Sequence, residues 1–252
     1  MNFCITGATS GLGRNLFEKL AKNSQYNFFL VSKNKHELEK LKNQNKNTKV
    51  YLLDLQNVEN TKAIANQIEE DSNKRIDVLI CNAAIGSFGS LSDVPDDQFV
   101  KDINVNFLSH LILIKKFYSM MRLNNFGHIL NISSGASVVG LKNASSYSAS
   151  KSSMQTLIES LYFENIKNNI FPKNVFPGLI DTDFSKKNNL FGKAEKIPII
   201  KKKNVDKISE IIIKNMFSKK LNVFCQFSPR LAFIIKSFPI IEVIRKKLFY
   251  SS

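Results

Sequence analysis

The sequence predicts an α/β fold: one doubly wound parallel sheet of about seven strands, helices on both faces, and a C-terminal helical extension. Three observations carry this. Short apolar runs alternate with longer segments of helical period. The runs are apolar throughout rather than at every second residue, as expected of strands covered on both faces. A glycine-rich turn joins the first run to the first helical segment.

Residues 2–6 form the first strand around Phe3, Cys4 and Ile5, and a helix runs to about 22 with Leu12, Leu16, Phe17 and Leu20 at helical spacing. The second strand is 27–32, followed by a helix over 35–45. The third strand is 50–54 and its helix 58–72; the fourth strand is 76–81 and a long helix spans 99–122. The fifth strand is 128–133, with a helix over 146–167. The sixth strand is near 170–176, a helix follows at 206–217, and the seventh strand is 222–227. Pro172 lacks an N–H and belongs at a strand start or an irregularity, so the sixth strand is expected to be short or to begin late.

The chain has 252 residues, 43% of them hydrophobic and 23% charged, which suits a single globular α/β domain. Its first strand is expected from residue 2, so no secretory leader is expected. No apolar stretch reaches about 18 residues, so no transmembrane helix is predicted. Cys4, Cys81 and Cys225 fall in predicted strands and read as free thiols, which places the protein in the cytoplasm. The three histidines are isolated and no cluster has metal-ligand spacing, so no metal is expected. The net charge of +15 is uneven: residues 186–252 carry 16 Lys/Arg against 4 Asp/Glu and so hold +12 of it. That asymmetry fits an anionic partner or surface, and equally a compositional drift in a Lys-rich chain. Nucleic-acid binding is not expected, because no recognisable module interleaves aromatic and basic residues.

Three motifs carry chemistry. The first is Thr6-Gly7-Ala-Thr-Ser10-Gly11-Leu12-Gly13, where glycines let the backbone approach a pyrophosphate at a helix N-terminus. The second is Ser134, at the carboxyl end of the fifth strand, where parallel sheets bind ligands. The third is Tyr147 with Lys151, one helical turn apart on one face. An ammonium beside a phenol favours phenolate and lowers the tyrosine's pKa, which suits proton exchange with a carbonyl or alcohol oxygen.

With Asp54-Leu55, Asn82-Ala83-Ala84, Asn106 and Pro177-Gly178-Leu-Ile180-Asp-Thr182, these motifs resemble the short-chain dehydrogenases/reductases in their short, Rossmann-type form, over about residues 2–226. The resemblance implies an oxidoreductase that moves hydride between a nicotinamide cofactor and a carbonyl or secondary alcohol. It implies that Gly7, Ser10, Gly11, Leu12 and Gly13 hold the pyrophosphate and that Asp54 and Leu55 meet the adenine. Asn82 and Ala83 would line the ribose, with Ala84 where the family usually has glycine. Pro177, Gly178, Ile180 and Thr182 would hold the carboxamide side. By the same resemblance Tyr147 is the general acid/base, Ser134 binds the reacting oxygen and Lys151 also binds the nicotinamide ribose. Asn106, chosen over Asn104 from the residues that follow it, holds a water leading from Lys151 to solvent.

At the end of the second strand, Ser32 stands where an acidic residue would bind the ribose 2′-hydroxyl of NAD, and Lys33 and Lys35 follow. Two ammoniums and no carboxylate favour the 2′-phosphate of NADP over NAD; two solvated lysines opening a helix would look the same.

The catalytic domain is expected over 1–227, with a substrate lid at about 180–203 that includes Phe184, and Val138, Val139 and Leu141 are expected on the opposite wall. An apolar pocket with a basic rim suits a hydrophobic small-molecule substrate; equally, the lid's apolar residues could bury on their own protein. A 3-oxoacyl thioester reductase competes with a reductase of free hydrophobic carbonyls, and an NADP-binding regulatory protein without turnover is the alternative of another class. Residues 228–252 form a basic amphipathic extension broken at Pro239, with Leu231, Ile234, Ile235 and Phe238 sharing a face. It could contact a membrane peripherally, close over the pocket, or join a dimer. The resemblance implies a homodimer or homotetramer.

Overall fold

The computed structural model describes residues 1–180, 184 and 203–236. Seven parallel strands form one sheet in the order β3-β2-β1-β4-β5-β6-β7. They are β1 (Asn2–Thr6), β2 (Asn27–Ser32), β3 (Thr48–Leu52), β4 (Val78–Cys81), β5 (Gly127–Ile132), β6 (Ile170–Phe176) and β7 (Asn222–Phe224). The helices are α1 (Gly11–Leu20), α2 (Lys35–Gln44), α3 (Val58–Asp71), α4 (Asp96–Ile103), α5 (Ser109–Leu123), α6 (Ser145–Glu164), α7 (Val205–Asn215) and α8 (Phe227–Lys236). β1 pairs with β2 on one side, from Asn2 opposite Asn27, and with β4 on the other, from Phe3 opposite Val78. The chain reverses its direction of winding there, so the carboxyl ends of β1 and β4 open a crevice.

Side chains alternate across the sheet and so sort the core into two layers. Phe3, Ile5, Phe28 and Leu30 face one side, where Leu12, Leu16, Phe17 and Leu20 of α1 and Ile208, Ile212 and Met216 at α7 cover them. Cys4, Phe29, Leu79 and Ile129 face the other, under Ile68 of α3, Leu113 and Phe117 of α5, and Met154 and Ile158 of α6. Each such side chain contributes about 1.5–3 kcal/mol by leaving water. Asn34 and Asn57 accept the N–H groups of Glu37 and Asn60 and so start α2 and α3.

The predicted long helix begins at Asp96 and ends at Leu123, and contains a wide π turn over Asn104–Leu108, where the Ser109 N–H bonds the Asn104 carbonyl. β3 ends two residues before Asp54, and β7 spans Asn222–Phe224, shorter than expected.

β6 corrects the expectation drawn from Pro172. It runs its full seven residues, with Pro172 opposite Ile129. The Asn169 and Val175 carbonyls accept from β5, whereas the Asn174 N–H donates to Leu221 on the β7 side. Backbone groups alternate in direction, so residue 172 presents its nitrogen toward β7, two residues before that strand begins. No ladder bond is lost.

Lys173, with none of its surface exposed, donates to the carbonyls of Asn215 at 3.3 Å, Met216 at 2.5 Å and Ser218 at 2.5 Å, closing the end of α7. α8 packs on β7 and on the 3-10 turn Gly135–Ser137. Phe233 packs inward against Phe176 and Phe224, while Ile234 faces solvent. Among the described residues no helix is long and apolar enough to cross a membrane. Most of the predicted lid (181–183 and 185–202), and the tail beyond 236 with Pro239 and Phe238, lie outside the described residues.

Candidate active site

β1 stops at Thr6 because Gly7 turns the chain with φ +64°, a conformation that disfavours any residue with a Cβ. Gly13, in the first turn of α1, sits so close to the Gly7 carbonyl and the Asn82 amide that an added Cβ would overlap both. Asn82, just past β4, donates from Nδ2 to the carbonyls of Thr6 and Gly7 at 3.0 and 3.1 Å. The Thr6 hydroxyl accepts the N–H groups of Asn82 and Ala83 and lies 2.9 Å from His110 Nε2. Burial holds His110 down to about 3, so the ring stays neutral. The glycine turn and the Asn82-Ala83 segment are therefore one rigid piece.

A cleft of about 540 Å³ opens above it. Its lining includes Gly7, Ser10, Gly11 and Leu12 from the turn, Ser32 and Lys33 after β2, and Asp54 and Leu55 after β3. Asn82, Ala83 and Ala84, then Pro177, Gly178 and Ile180, complete that side, and Ser134, Tyr147 and Lys151 stand in the same cleft. Gly13 packs behind the turn rather than in the lining, Lys35 is exposed and not part of the lining, and Thr182 lies outside the described residues. Ser32 is held by Thr9, hydroxyl to hydroxyl at 2.7 Å, and accepts the Asn34 N–H. Glu37, the nearest acid on α2, bonds Arg14 and Lys40.

Ser134 caps the 3-10 turn by accepting the Ala136 N–H at 3.2 Å, and its hydroxyl stands in the same cleft as the Tyr147 phenol. Tyr147 lies in the first turn of α6. Burial pushes its phenol up to about 12; the nearby Ser134 hydroxyl works against that rise and the charge of Asp102 adds to it. This differs from the lowered phenol expected from Lys151. In the protein alone, desolvation of the phenolate is the largest influence on this group. Lys151 is 4% exposed, donates to the Ile132 carbonyl at 2.9 Å, and is pulled down to about 8 by burial.

Asn106, in the wide turn, accepts the Ile85 N–H and donates to the Ile85 carbonyl and to Ser150 of α6. Asn104 points elsewhere, to the Gln56 carbonyl. Asn106 thus braces the wall of the cleft and does not line it.

The expected substrate wall needs correction. Leu141 lines the cleft, but Val138 and Val139 are buried against Phe176, beneath Phe224 and Phe233, because α8 covers them. Phe88 and Phe184 instead stand beside Tyr147, with ring centroids 5.6 and 6.0 Å from its own. Sequence reasoning also missed Gln226, which donates to the Pro177 and Leu179 carbonyls at 2.9 and 2.8 Å and fixes that strand end. It missed Asp102 as well, a buried acid one turn before Asn106.

The short chain dehydrogenase family model matches residues 2–191. The 3-oxoacyl-[acyl-carrier-protein] reductase of Rickettsia prowazekii (strain Madrid E) is 31% identical over 73% of this chain and 75% of its own. Epidermal retinol dehydrogenase 2 of Homo sapiens is 31% identical over 88% of this chain and 75% of its own. A short-chain dehydrogenase from Sphingobium yanoikuyae, solved in complex with NADPH, superposes with a TM-score of 0.79 at 21% identity, covering 100% of this chain and 96% of that one. By its glycine turn, its sheet and these matches, the chain belongs to the short-chain dehydrogenase/reductase family, oxidoreductases of carbonyl and alcohol groups.

Proposed function

We propose that the protein is an NADP-dependent oxidoreductase of a hydrophobic carbonyl or secondary alcohol, with Tyr147 as general acid/base. The observation that carries this reading is the single cleft shared by the glycine turn and the Ser134–Tyr147–Lys151 group. The residues fit a dinucleotide. Gly7 and Gly11 have positive φ and bring bare backbone to the cleft at the start of α1, where a pyrophosphate is favoured. Lys33, on the cleft rim with Ser32 and with Glu37 of α2 engaged by Arg14 and Lys40, would meet a 2′-phosphate. Asp54 and Leu55 would flank the adenine, and Pro177 to Ile180 the carboxamide side.

When bound, the nicotinamide donates or accepts the hydride at the substrate carbon. In reduction, negative charge grows on the substrate oxygen. Ser134 donates a hydrogen bond to that oxygen, and Tyr147, whose phenol burial keeps protonated, gives it the proton. Lys151 then sets a positive charge near the tyrosinate, with its ammonium anchored by the Ile132 carbonyl. In oxidation the same proton returns to Tyr147. Ile85, Phe88, Leu141 and Phe184 make the substrate side apolar.

A second reading, reduction of 3-oxoacyl thioesters, draws on the likeness to the Rickettsia prowazekii reductase. NADPH consumption measured with hydrophobic ketones, a retinoid aldehyde and acetoacetyl-CoA separates the two. Turnover on the free carbonyls but not on the thioester supports the first reading, and the converse supports the second. Absence of turnover on all of them, with NADPH binding intact, would favour a regulatory protein.

A further inference from the structure

Asp102 sits at the end of α4 with none of its surface exposed. All three of its hydrogen bonds are accepted: from the Ser146 hydroxyl at 2.6 Å, the Ser87 N–H at 3.0 Å and the Ser87 hydroxyl at 3.2 Å. Three donors converge on its two oxygens, and the Ser87 N–H among them can only donate, which is the setting a carboxylate needs when it is taken out of water. Four residues on, Asn106 makes the matching set to Ile85 and Ser150. The long helix therefore carries two rungs. Each ties one residue of the loop after β4 (Ile85 or Ser87) to one residue of α6 (Ser150 or Ser146). Tyr147 lies between the two α6 anchors. The loop held by these rungs carries Gly86, where a Cβ would come within 3.1 Å of the Tyr147 ring, and Phe88, whose ring lies against it.

We propose that Asp102 is a positioning residue for Tyr147: by clamping Ser146 and Ser87 it fixes the ring between α6 and the loop, and sets a buried negative charge beside it. This rests on the reading of Tyr147 as the acid/base. The other titratable groups at this corner are Lys151 on α6, Cys81 at the end of β4 and His110 on α5. Cys81 and His110 both interact with Lys151. Among these, Asp102 opposes ionisation of the phenol. Its charge thus favours the proton-donating form, the one needed for carbonyl reduction. The two serine hydroxyls pointing at the carboxylate moderate that charge.

The test is a titration of the Tyr147 phenol by NMR, using protein labelled at tyrosine Cζ and bound to NADP⁺. The resonance is assigned by its loss in Tyr147→Phe. Asp102→Asn keeps the shape and removes the charge, so the phenol should titrate roughly half to one pH unit lower. Ser146→Ala keeps the charge, removes one donor that moderates it, and should move the titration the other way. Because Ser146→Ala leaves no buried charge without its remaining partners, it reports even if Asp102→Asn does not fold. Opposite shifts support the proposal. A titration unchanged in Ser146→Ala, or shifts of the same sign in both variants, would overturn it. Turnover retained by Tyr147→Phe would instead sink the acid/base reading and leave the titration result standing.

Discussion

Two buried lysines make an instructive pair. Lys151, at the cleft, and Lys173, in the middle of β6, are both nearly inaccessible, and burial pulls both ammoniums down to about 8. Both donate to backbone carbonyls. They differ in how much donor capacity is used. Lys173 directs bonds to three carbonyls at the end of α7, which matches its three N–H groups. Among the described residues Lys151 makes one, to Ile132, while lining the cleft. A buried cation whose donors are all engaged by the fold holds the fold together. One with donors left over, facing a cleft, is available to a ligand. Burial and a perturbed pKa alone do not separate the two cases; counting the hydrogen bonds does.

Tyr147→Phe, which removes the proposed acid/base hydroxyl, should lower kcat by roughly 10²–10⁴-fold. NADPH binding, followed by fluorescence titration, should be almost unchanged. Lys151→Met should lower kcat by at least about a hundredfold and weaken NADPH binding, with little change in the denaturation midpoint. Lys173→Met should do the reverse. It strands three carbonyls at a cost of roughly 1–3 kcal/mol in urea unfolding, while folded enzyme keeps its kcat. If Lys173→Met impaired turnover of folded protein, the distinction would fail. Lys33→Ala should raise the KM for NADPH roughly tenfold and leave that for NADH unchanged.

The smallest effect concerns pH. Both lysines have folded-state pKa values near 8, below the unfolded value of about 10.4. Between those limits the unfolded chain binds more protons, so these groups make stability rise with pH there. Lys173→Met should flatten that rise in urea midpoints measured from pH 7.5 to 10.

The glycine turn and the Tyr147–Lys151 spacing were readable because strand period, helix period and turn chemistry are local. What was misread depends on neighbours. Pro172 looked disruptive because its nitrogen faces a place that only the start of β7 defines. Val138 and Val139 looked like pocket wall until Phe233 of α8 was seen to cover them. The rise of the Tyr147 phenol was hidden because burial is a property of the packed site, whereas the nearby lysine could be seen in the chain. Asp102 was overlooked because a lone acid in a helix reads as surface until its three donors, drawn from 15 and 44 positions away, come together.

The wide turn at Asn104–Leu108 has a consequence for sequence comparison and for engineering. It accommodates one residue more than regular winding would, so the two halves of the helix are out of phase by about 100°. Upstream, Asp102 addresses α6; downstream, Ser109 bonds the Leu55 carbonyl on the far side. Excising a single amino acid between 104 and 108 would restore even winding and rotate one set of contacts out of place. A related protein without the bulge must be aligned here with a one-position gap, or its acid and amide will be matched to the wrong residues.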